Sequence, residues 1–421
     1  MNELLKTLTA RGLLQDATSG LAERLEQGPV TAYVGLDPTA DSLHVGSLVP
    51  LLGAAWLQRL GHTPIVLIGG GTGMVGDPSG KRSERPIMPV EEIDRNAQAI
   101  ARQAARFLDF KSSASNAARL RNNAEWLRTL PLMDFLRDTG KHLTLGFMLQ
   151  KESVRSRLET GISYTEFSYM AVQAYDFWHL FRTEGCELQI GGSDQWGNIT
   201  AGIELIGKCE GRQTYGLVFP LVTNTSGTKF GKSEAGNIWL DPAKTSPYQF
   251  YQFWINTEDR DVERYLKLFT LLPLEEIAST MAEHGREPGK RVAQRLLATD
   301  MTTRVHGATA AAQAEETSSR LFGGRSAGQE PSPLGDVPER RVSREQLRDL
   351  SVVELLVVSG LATSKADARR GIQGRGFYIN DAPIETAELQ LREDQLEGPP
   401  ERRYVMLRKG KKNYVRLVLE P

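Results

Sequence analysis

An α/β fold with a parallel sheet, followed by a helical region and a small C-terminal module, is predicted by three features of the sequence. Pro64-Ile-Val-Leu-Ile68 is entirely apolar, the composition of a strand buried on both faces of a parallel sheet. One helix before it stands a second β-rich run, Val30–Leu36, so that strand, helix and strand form a βαβ unit. Far downstream, a stretch with four glycines and three prolines but little apolar content, Gly323 to Arg341, sets off a basic unit with apolar residues of its own.

Taken in order, the chain begins with Met1–Gln27, where Leu4, Leu5 and Leu8 stand at helical spacing among Glu3, Lys6, Arg11 and Asp16. It lacks the apolar core of a signal peptide, and its acids argue against a transit peptide, so a surface helix packed on the main domain is expected. After the strand Val30–Leu36, an apolar helical stretch runs from about Leu43 to Leu60 and stops at Gly61. The strand Pro64–Ile68 then enters Gly69–Pro78, a loop too glycine-rich for packing alone to explain. Helical segments fill roughly 90–182. A strand, Glu187–Ile190, feeds the turn Gly191–Gln195, and another near Leu217–Val222 precedes a polar loop. The pattern from about 245 to 322 is helical again. The expected domains are therefore 1–222, 223–322, a linker over 323–345, and a module over 346–421.

A chain of 421 residues, 40% hydrophobic and 24% charged, is an ordinary globular composition and long enough for two or three cores. The formal net charge of -1 provides no global attraction for nucleic acid, so any RNA contact must come from a local basic patch. Cys186 and Cys209 are the only cysteines and lack metal-ligand spacing, which fits a reducing compartment. No apolar run approaches the ~20 residues of a membrane span, so no membrane partner is expected.

Three local patterns bear on nucleotide chemistry. In Asp37–Ser47 a strand end turns into a helix start, where backbone N–H groups and the positive helix terminus attract anions. Thr39 and His44 can add hydrogen bonds to phosphate oxygens, and Gly46 permits close approach of a nucleotide, although a capped helix start with a surface histidine gives the same pattern. Thr228-Lys-Phe-Gly-Lys-Ser233 lies in a polar loop, and its two lysines can either swing onto a polyphosphate or belong to a solvated turn. Asp77, Lys81, Arg82 and Arg85 follow the glycine loop, near the carboxyl ends of the strands where open α/β sheets bind ligands. No Gly-x-x-x-x-Gly-Lys-Ser/Thr sequence is present, which disfavours a P-loop fold. Within the helix read from Ser163 to Leu180, Tyr169, Gln173 and Asp176 share one face. That stripe suits a ligand ammonium or hydroxyl, with Gln189 and Gln195 nearby, or an ordinary solvated face.

Several long blocks resemble one family. Gly35-Leu-Asp-Pro-Thr-Ala-Asp-Ser-Leu-His-Val-Gly46 resembles the HIGH region of class I aminoacyl-tRNA synthetases in its bacterial tyrosyl form, and Lys229-Phe-Gly-Lys-Ser233 resembles the KMSKS loop. Gly76–Gly80, Gly161–Tyr169, Gln173–Asp176 and Gln189–Thr200 are similar to blocks of the tyrosyl branch. The C-terminal unit resembles a small RNA-binding module shared with a ribosomal small-subunit protein, through Ser364–Arg370, Gly376–Asn380 and Leu407–Tyr414. The likeness runs over nearly the whole chain, in the right order. One position departs from it: Ser47 stands where the second HIGH histidine is expected, and serine is shorter and never cationic.

The resemblance implies a Rossmann-like catalytic domain that binds ATP and tyrosine, a helical domain, and a small α+β RNA-binding module. It implies a tyrosine–tRNA ligase in which tyrosine is activated by ATP to tyrosyl-adenylate and transferred to tRNA(Tyr). The tyrosine carboxylate is already a nucleophile, so positioning and charge stabilisation must supply the acceleration. Thr39, His44, Lys81, Arg85, Lys229 and Lys232 are the implied catalytic residues. Tyr33, Asp77, Tyr169, Gln173, Asp176 and Gln189 would hold tyrosine, Tyr33 and Asp176 on its phenol and Asp77, Tyr169 and Gln173 on its ammonium. Gly35, Asp37, Gly46, Ser47, Gly191, Gly192, Asp194, Gln195, Phe230, Gly231 and Ser233 would line the ATP site. Lys365, Arg369, Arg370, Lys409, Lys411 and Lys412 would meet RNA phosphates, with Phe377 and Tyr378 stacking or packing. Mg2+ would arrive with ATP, with no protein-held metal, and a cytoplasmic homodimer is expected; Pro131–Ser156 has the apolar residues for its interface, which fit a core equally well. The tryptophanyl type is the nearest rival; Asp176 opposite Tyr33 favours a phenol over an indole. A non-catalytic RNA-binding protein on the same scaffold would need no ATP site, yet His44, Lys229 and Lys232 are all present.

Overall fold

The computed structural model describes residues 2–79, 88–111, 113–158, 161–223, 230–233, 236–322, 337–380, 382–399, 403–410 and 413–420. They form two compact units, 1–244 with 254–305, and 245–253 with 306–421. The helical stretch expected as a body of its own, 223–322, is thus divided between them. Within the second unit Phe250 meets His306 edge-on at 4.9 Å, and Gln252 donates to Ser318 Oγ at 2.9 Å.

The first unit is built on six strands: β1 (Asp16–Ala17), β2 (Thr31–Leu36), β3 (Thr63–Ile68), β4 (Arg119–Asn122), β5 (Cys186–Gly192) and β6 (Tyr215–Phe219). Their spatial order is β1-β6-β5-β2-β3-β4. β1 runs antiparallel to β6 and every other pairing is parallel. All six residues of β3 are buried, as its apolar composition requires.

The helix after β2 is Leu48–Arg59 and buries residues around most of its circumference, from Leu48 and Val49 to Trp56 and Leu57. It begins later than the apolar pattern suggested. His44 instead makes a β-bridge with Trp239, and Val45–Ser47 forms a 3-10 turn. The stretch 90–182, read as helical, contains β4. Its Arg-Leu-Arg-Asn sequence has no apolar alternation to mark it, because it is an edge strand whose Arg119 and Arg121 both bind the Glu184 carboxylate, at 2.9 and 2.5 Å. The long helix Tyr164–Glu184 opens on a Ser163/Glu166 capping box and ends at Gly185 in the left-handed conformation. Glu166 also takes a bidentate ion pair from Arg157, at 2.8 and 2.9 Å, both side chains being buried.

At the N-terminus Leu4, Leu5 and Leu8 of the helix Glu3–Ala10 are buried as expected. Arg11 follows and is itself 3% exposed. Its guanidinium donates to the carbonyls of Lys267, Thr270 and Leu272 and lies 4.0 Å over the Trp56 ring.

The second unit carries a five-stranded sheet in the order Ala382–Pro383, Phe377–Ile379, Tyr404–Lys409, Asn413–Leu419, Glu339–Val342. Glu339–Val342 pairs in parallel with Asn413–Leu419, so the end of the stretch read as linker belongs to the sheet; Val342 is 1% exposed. The helices Arg344–Asp349, Val352–Val358 and Lys365–Gln373 contribute Leu347, Leu356 and Ile372 to one core with Phe377, Val405 and Leu417. No helix among the described residues is long and apolar enough to cross a membrane.

Candidate active site

In this strand order the chain leaves β2 to one side for β3 and β4, and to the other for β5 and β6. A crevice therefore opens at the carboxyl ends of β2 and β5, where open α/β sheets bind ligands. A cleft of about 510 Å³ occupies that place, with Tyr33 and Asp37 of the β2 end, Gln189 and Gly191 of β5, and Tyr169 and Asp176 of the long helix among its lining.

The cleft floor is a linked polar network. Asp176, 1% exposed, accepts from Asn123 Nδ2 at 2.8 Å and from Trp126 Nε1 at 2.7 Å. Burial pushes its carboxyl up to about 7, the two hydrogen bonds acting in the opposite direction. Asn123 also donates to Thr72 Oγ1 at 3.0 Å, and Thr72 in turn donates to Asp37 at 2.9 Å. Asp37 accepts as well from the Tyr169 hydroxyl at 3.0 Å. Asp77 accepts from Gln195 at 2.7 Å, while Asn198 bridges Gln173, Gln195 and Ser79 at 3.1–3.2 Å. Gly69 lies so close to this network that a Cβ there would come within 2.1 Å of Asp37 Oδ1.

Two of the cleft's buried polar atoms, the Tyr33 hydroxyl and Gln189 Oε1, have no hydrogen-bond partner among the described residues. They belong to residues paired across β2 and β5. An orphaned buried group costs about 1–3 kcal/mol, so the pair describes a place made for a ligand that can satisfy it. Burial, reinforced by Asp176, raises the Tyr33 hydroxyl well above its ordinary value, and burial with Asp37 does the same for Tyr169. Both therefore stay neutral and able to donate at physiological pH.

At the cleft's other end, His44 Nδ1 accepts the Gly46 amide at 3.0 Å, which leaves the imidazole proton on Nε2 as a donor. Gly46 and Ser47 line the cleft at the start of the helix Leu48–Arg59, whose positive terminus adds to the attraction for anions. Ser47 gives no side-chain cap to that helix. The backbone of Lys232–Ser233 pairs with Gly236–Asn237, and Ile238 donates to the Gly231 carbonyl at 3.1 Å and accepts from the Val45 amide at 3.0 Å. The lysine-containing segment is thereby joined to the His44 segment. Phe230 lines the cleft, as do Gly35, Gly192 and Asp194.

Some expected residues are not brought there. Thr39 is exposed and absent from the cleft lining, its amide turned onto the Asp37 carbonyl at 2.9 Å. Lys81, Arg85 and Lys229 lie outside the described residues, as do Lys411 and Lys412; Lys232 and Ser233 are described in backbone alone. Asn123, Trp126 and Asn198 were not anticipated. Asn123 and Trp126 follow the unmarked edge strand β4, and Asn198 lies in Gln189–Thr200, where only the family likeness could have singled it out.

In the second unit Arg369 and Arg370 are exposed on the helix Lys365–Gln373. Lys365 pairs with Glu354 at 2.8 Å and Lys409 with Asp367 at 3.4 Å. Phe377 is fully buried and packs in the core, whereas Tyr378 carries the Arg408 guanidinium 3.6 Å over its ring.

A family profile described as tRNA synthetases class I (W and Y) matches residues 25–323, and one described as the tyrosine–tRNA ligase SYY-like C-terminal domain matches 332–417. A tyrosine–tRNA ligase of Anaeromyxobacter dehalogenans is 57% identical over 98% of this chain and 99% of its own. One of Geobacillus stearothermophilus is 49% identical over 98% of each. Among solved structures, a C-terminally truncated mitochondrial tyrosyl-tRNA synthetase of Aspergillus nidulans superposes with a TM-score of 0.68 at 33% identity, covering 76% of this chain and 94% of its own.

Proposed function

The chain belongs to the class I tRNA synthetases of the tryptophanyl and tyrosyl group and ligates tyrosine to tRNA with ATP; from that premise we infer how the cleft carries out the reaction. Tyrosine enters with its phenol toward Tyr33 and Asp176. The observation that carries this reading is the buried Tyr33 hydroxyl without a partner, beside a buried carboxylate. A phenolic O–H satisfies both, donating to Asp176 and accepting from Tyr33. Phenylalanine would leave the Tyr33 hydroxyl buried and unpaired, at about 1–3 kcal/mol, and would offer Asp176 no donor beyond Asn123 and Trp126.

Asp77, Gln173 and Tyr169 receive the substrate ammonium. Tyr169 has its proton committed to Asp37 and offers an oxygen lone pair. The tyrosine carboxylate then faces ATP, taken up as its magnesium complex. Its oxygen attacks the α-phosphorus, the bond to the bridging oxygen breaks, and pyrophosphate leaves with the negative charge. His44 Nε2 and the start of the helix Leu48–Arg59 lie on the phosphate side, and Lys81, Arg85, Lys229 and Lys232 would complete the positive environment. In the second step the terminal ribose hydroxyl of tRNA(Tyr) attacks the adenylate carbonyl and AMP departs. Arg369 and Arg370, exposed on their helix, meet the tRNA backbone together with Lys365, Lys409, Lys411 and Lys412.

We assign a homodimer and a cytoplasmic location as well. Support for the dimer is the apolar surface at Leu132, Met133 and Leu145, which are 66–71% exposed within the segment whose composition suggested an interface. The test of the activity is ATP–pyrophosphate exchange with each amino acid in turn. Exchange with tyrosine alone is expected. Exchange with another amino acid discards the Tyr33–Asp176 assignment, and exchange with none discards the cleft's role.

A further inference from the structure

The two lysines of Lys229-Phe-Gly-Lys232 flank two residues that are fixed at separate places. Phe230 stacks on Phe269 at 4.7 Å with 18° between the rings, meets Tyr265 edge-on at 4.9 Å, and tilts against Trp254 at 5.6 Å. These three partners are buried, 0–4% exposed, and pack on one another, Trp254 against Phe269 at 5.1 Å and Tyr265 against Phe269 at 5.7 Å. They form a preformed aromatic socket whose open side Phe230 fills. The base of the socket is anchored in turn, because Phe269 ends the helix Asp259–Phe269 and Arg11 binds the carbonyls just there, including Lys267 and Thr270 at 3.2 Å.

Gly231 supplies the second fixed point. It has φ of +82°, and a Cβ there would stand 2.7 Å from Val45 Cγ2 and 3.4 Å from the Gly46 amide nitrogen. The backbone thus turns sharply against the His44–Gly46 segment immediately after the socket. Four residues have two anchors, an aromatic one in the helical part and a backbone one at the phosphate end of the cleft.

We propose that Phe230 is a positioning residue for adenylate formation, acting through Lys232 by seating the chain two residues before it in the Trp254–Tyr265–Phe269 socket, and not as a contact to the nucleotide. The proposal rests on the reading of the lysines as phosphate ligands. Misplacing a catalytic group by about 1 Å costs up to ~10²-fold in rate, and an empty socket permits a displacement of that size. A ring seated at 4.7–5.6 Å on three buried neighbours also holds its own backbone more firmly than a solvated turn.

The test is a double-mutant cycle on Phe230→Ala and Lys232→Ala, read as the single-turnover rate of tyrosyl-adenylate formation, with tyrosine binding to the free enzyme as the check on folding. Phe230→Ala is expected to slow adenylate formation about 10–10²-fold with tyrosine affinity unchanged. In the Lys232→Ala background the same change is expected to cost less than about threefold, because the group it positions is gone. Phe230→Leu, which keeps most of the apolar volume in the socket, should recover the larger part of the rate. Equal losses in both backgrounds overturn the proposal, since Phe230 would then act independently of the lysine. A normal rate for Lys232→Ala alone refutes the lysine reading itself, and this outcome is distinguishable from the first. Loss of tyrosine binding in both Phe230→Ala and Phe230→Leu also overturns it, by making the residue a structural member of the unit.

Discussion

Replacing Asp176 by asparagine separates what this carboxylate does for the fold from what it does for the substrate. Raising a carboxyl from 3.8 to about 7 by burial costs the folded state roughly 4 kcal/mol once the group is ionised, at about 1.36 kcal/mol per tenfold change in proton affinity. The folded value lies above the unfolded one, so the group favours the folded chain fully below about pH 4 and that advantage is lost as pH rises to about 7. Asp176→Asn removes this dependence. It also has a cost, because Asn123 and Trp126 both donate to the carboxylate, and an amide can accept well from only one of them. The lost bond and the buried donor amount to about 1–3 kcal/mol at every pH. The difference between the proteins must therefore change sign. The variant should be about 1–3 kcal/mol more stable near pH 8 and about 1–2 kcal/mol less stable near pH 4. Urea unfolding followed by tryptophan fluorescence at a series of pH values gives the two curves, which should cross between about pH 4.5 and 6. A constant offset across the range would show that Asp176 titrates like an exposed aspartate, and the account of the cleft floor would be wrong. The same variant should lose preference for tyrosine over phenylalanine in pyrophosphate exchange even where it is the more stable protein.

Arg157→Met strands the buried Glu166 carboxylate, and removal of one partner of such a pair should destabilise the unit by about 3–5 kcal/mol, visible as a lowered melting temperature. An unchanged temperature would mean that the pair is solvated. Gly231→Ala places a side chain at a left-handed position and against Val45, so adenylate formation should fall at least ~10-fold while tyrosine binding is kept; equal loss of both would point to general disruption. Arg369→Gln with Arg370→Gln should weaken tRNA binding and reduce its salt dependence by about one counterion per charge, leaving tyrosine-dependent pyrophosphate exchange untouched. An unaltered salt slope would move the RNA contact elsewhere.

The parts of the fold that were legible in the sequence are those with a strong period. β2 and β3 could be read from apolar runs, and the helix Tyr164–Glu184 from a repeat that put Tyr169, Gln173 and Asp176 on one face. The structure brings those three to one cleft and joins Tyr169 to Asp37, a contact that no sequence pattern marks. Their partners are set by tertiary position, which has no sequence period. Asn123 reaches Asp176 only because the short strand β4, held at the sheet edge by Arg119 and Arg121, delivers the chain there. Edge strands of four residues with alternating charge look like loop or helix surface. The strand Glu339–Val342 escaped for the same reason: three of its four residues are charged, and only Val342 betrays an inward face.

The placement of strands in the C-terminal sheet affects synthesis on the ribosome. Asn413–Leu419 is the latest of the described strands in sequence, yet it lies between Tyr404–Lys409 and Glu339–Val342, so that Glu339–Val342 has no strand partner, and Tyr404–Lys409 only Phe377–Ile379, until that strand has emerged. Residues 1–244 and 254–305 can meanwhile assemble one compact unit. At about 5–20 residues per second, roughly 5–25 s separate the two events. Through that interval Tyr248, Phe250 and Tyr251, 0–2% exposed in the finished protein, await the part of their own unit that begins at His306. A nascent chain of this kind displays an aromatic surface late in translation, which makes the last hundred or so residues the period in which chaperone capture and premature termination act most strongly on the yield of folded enzyme.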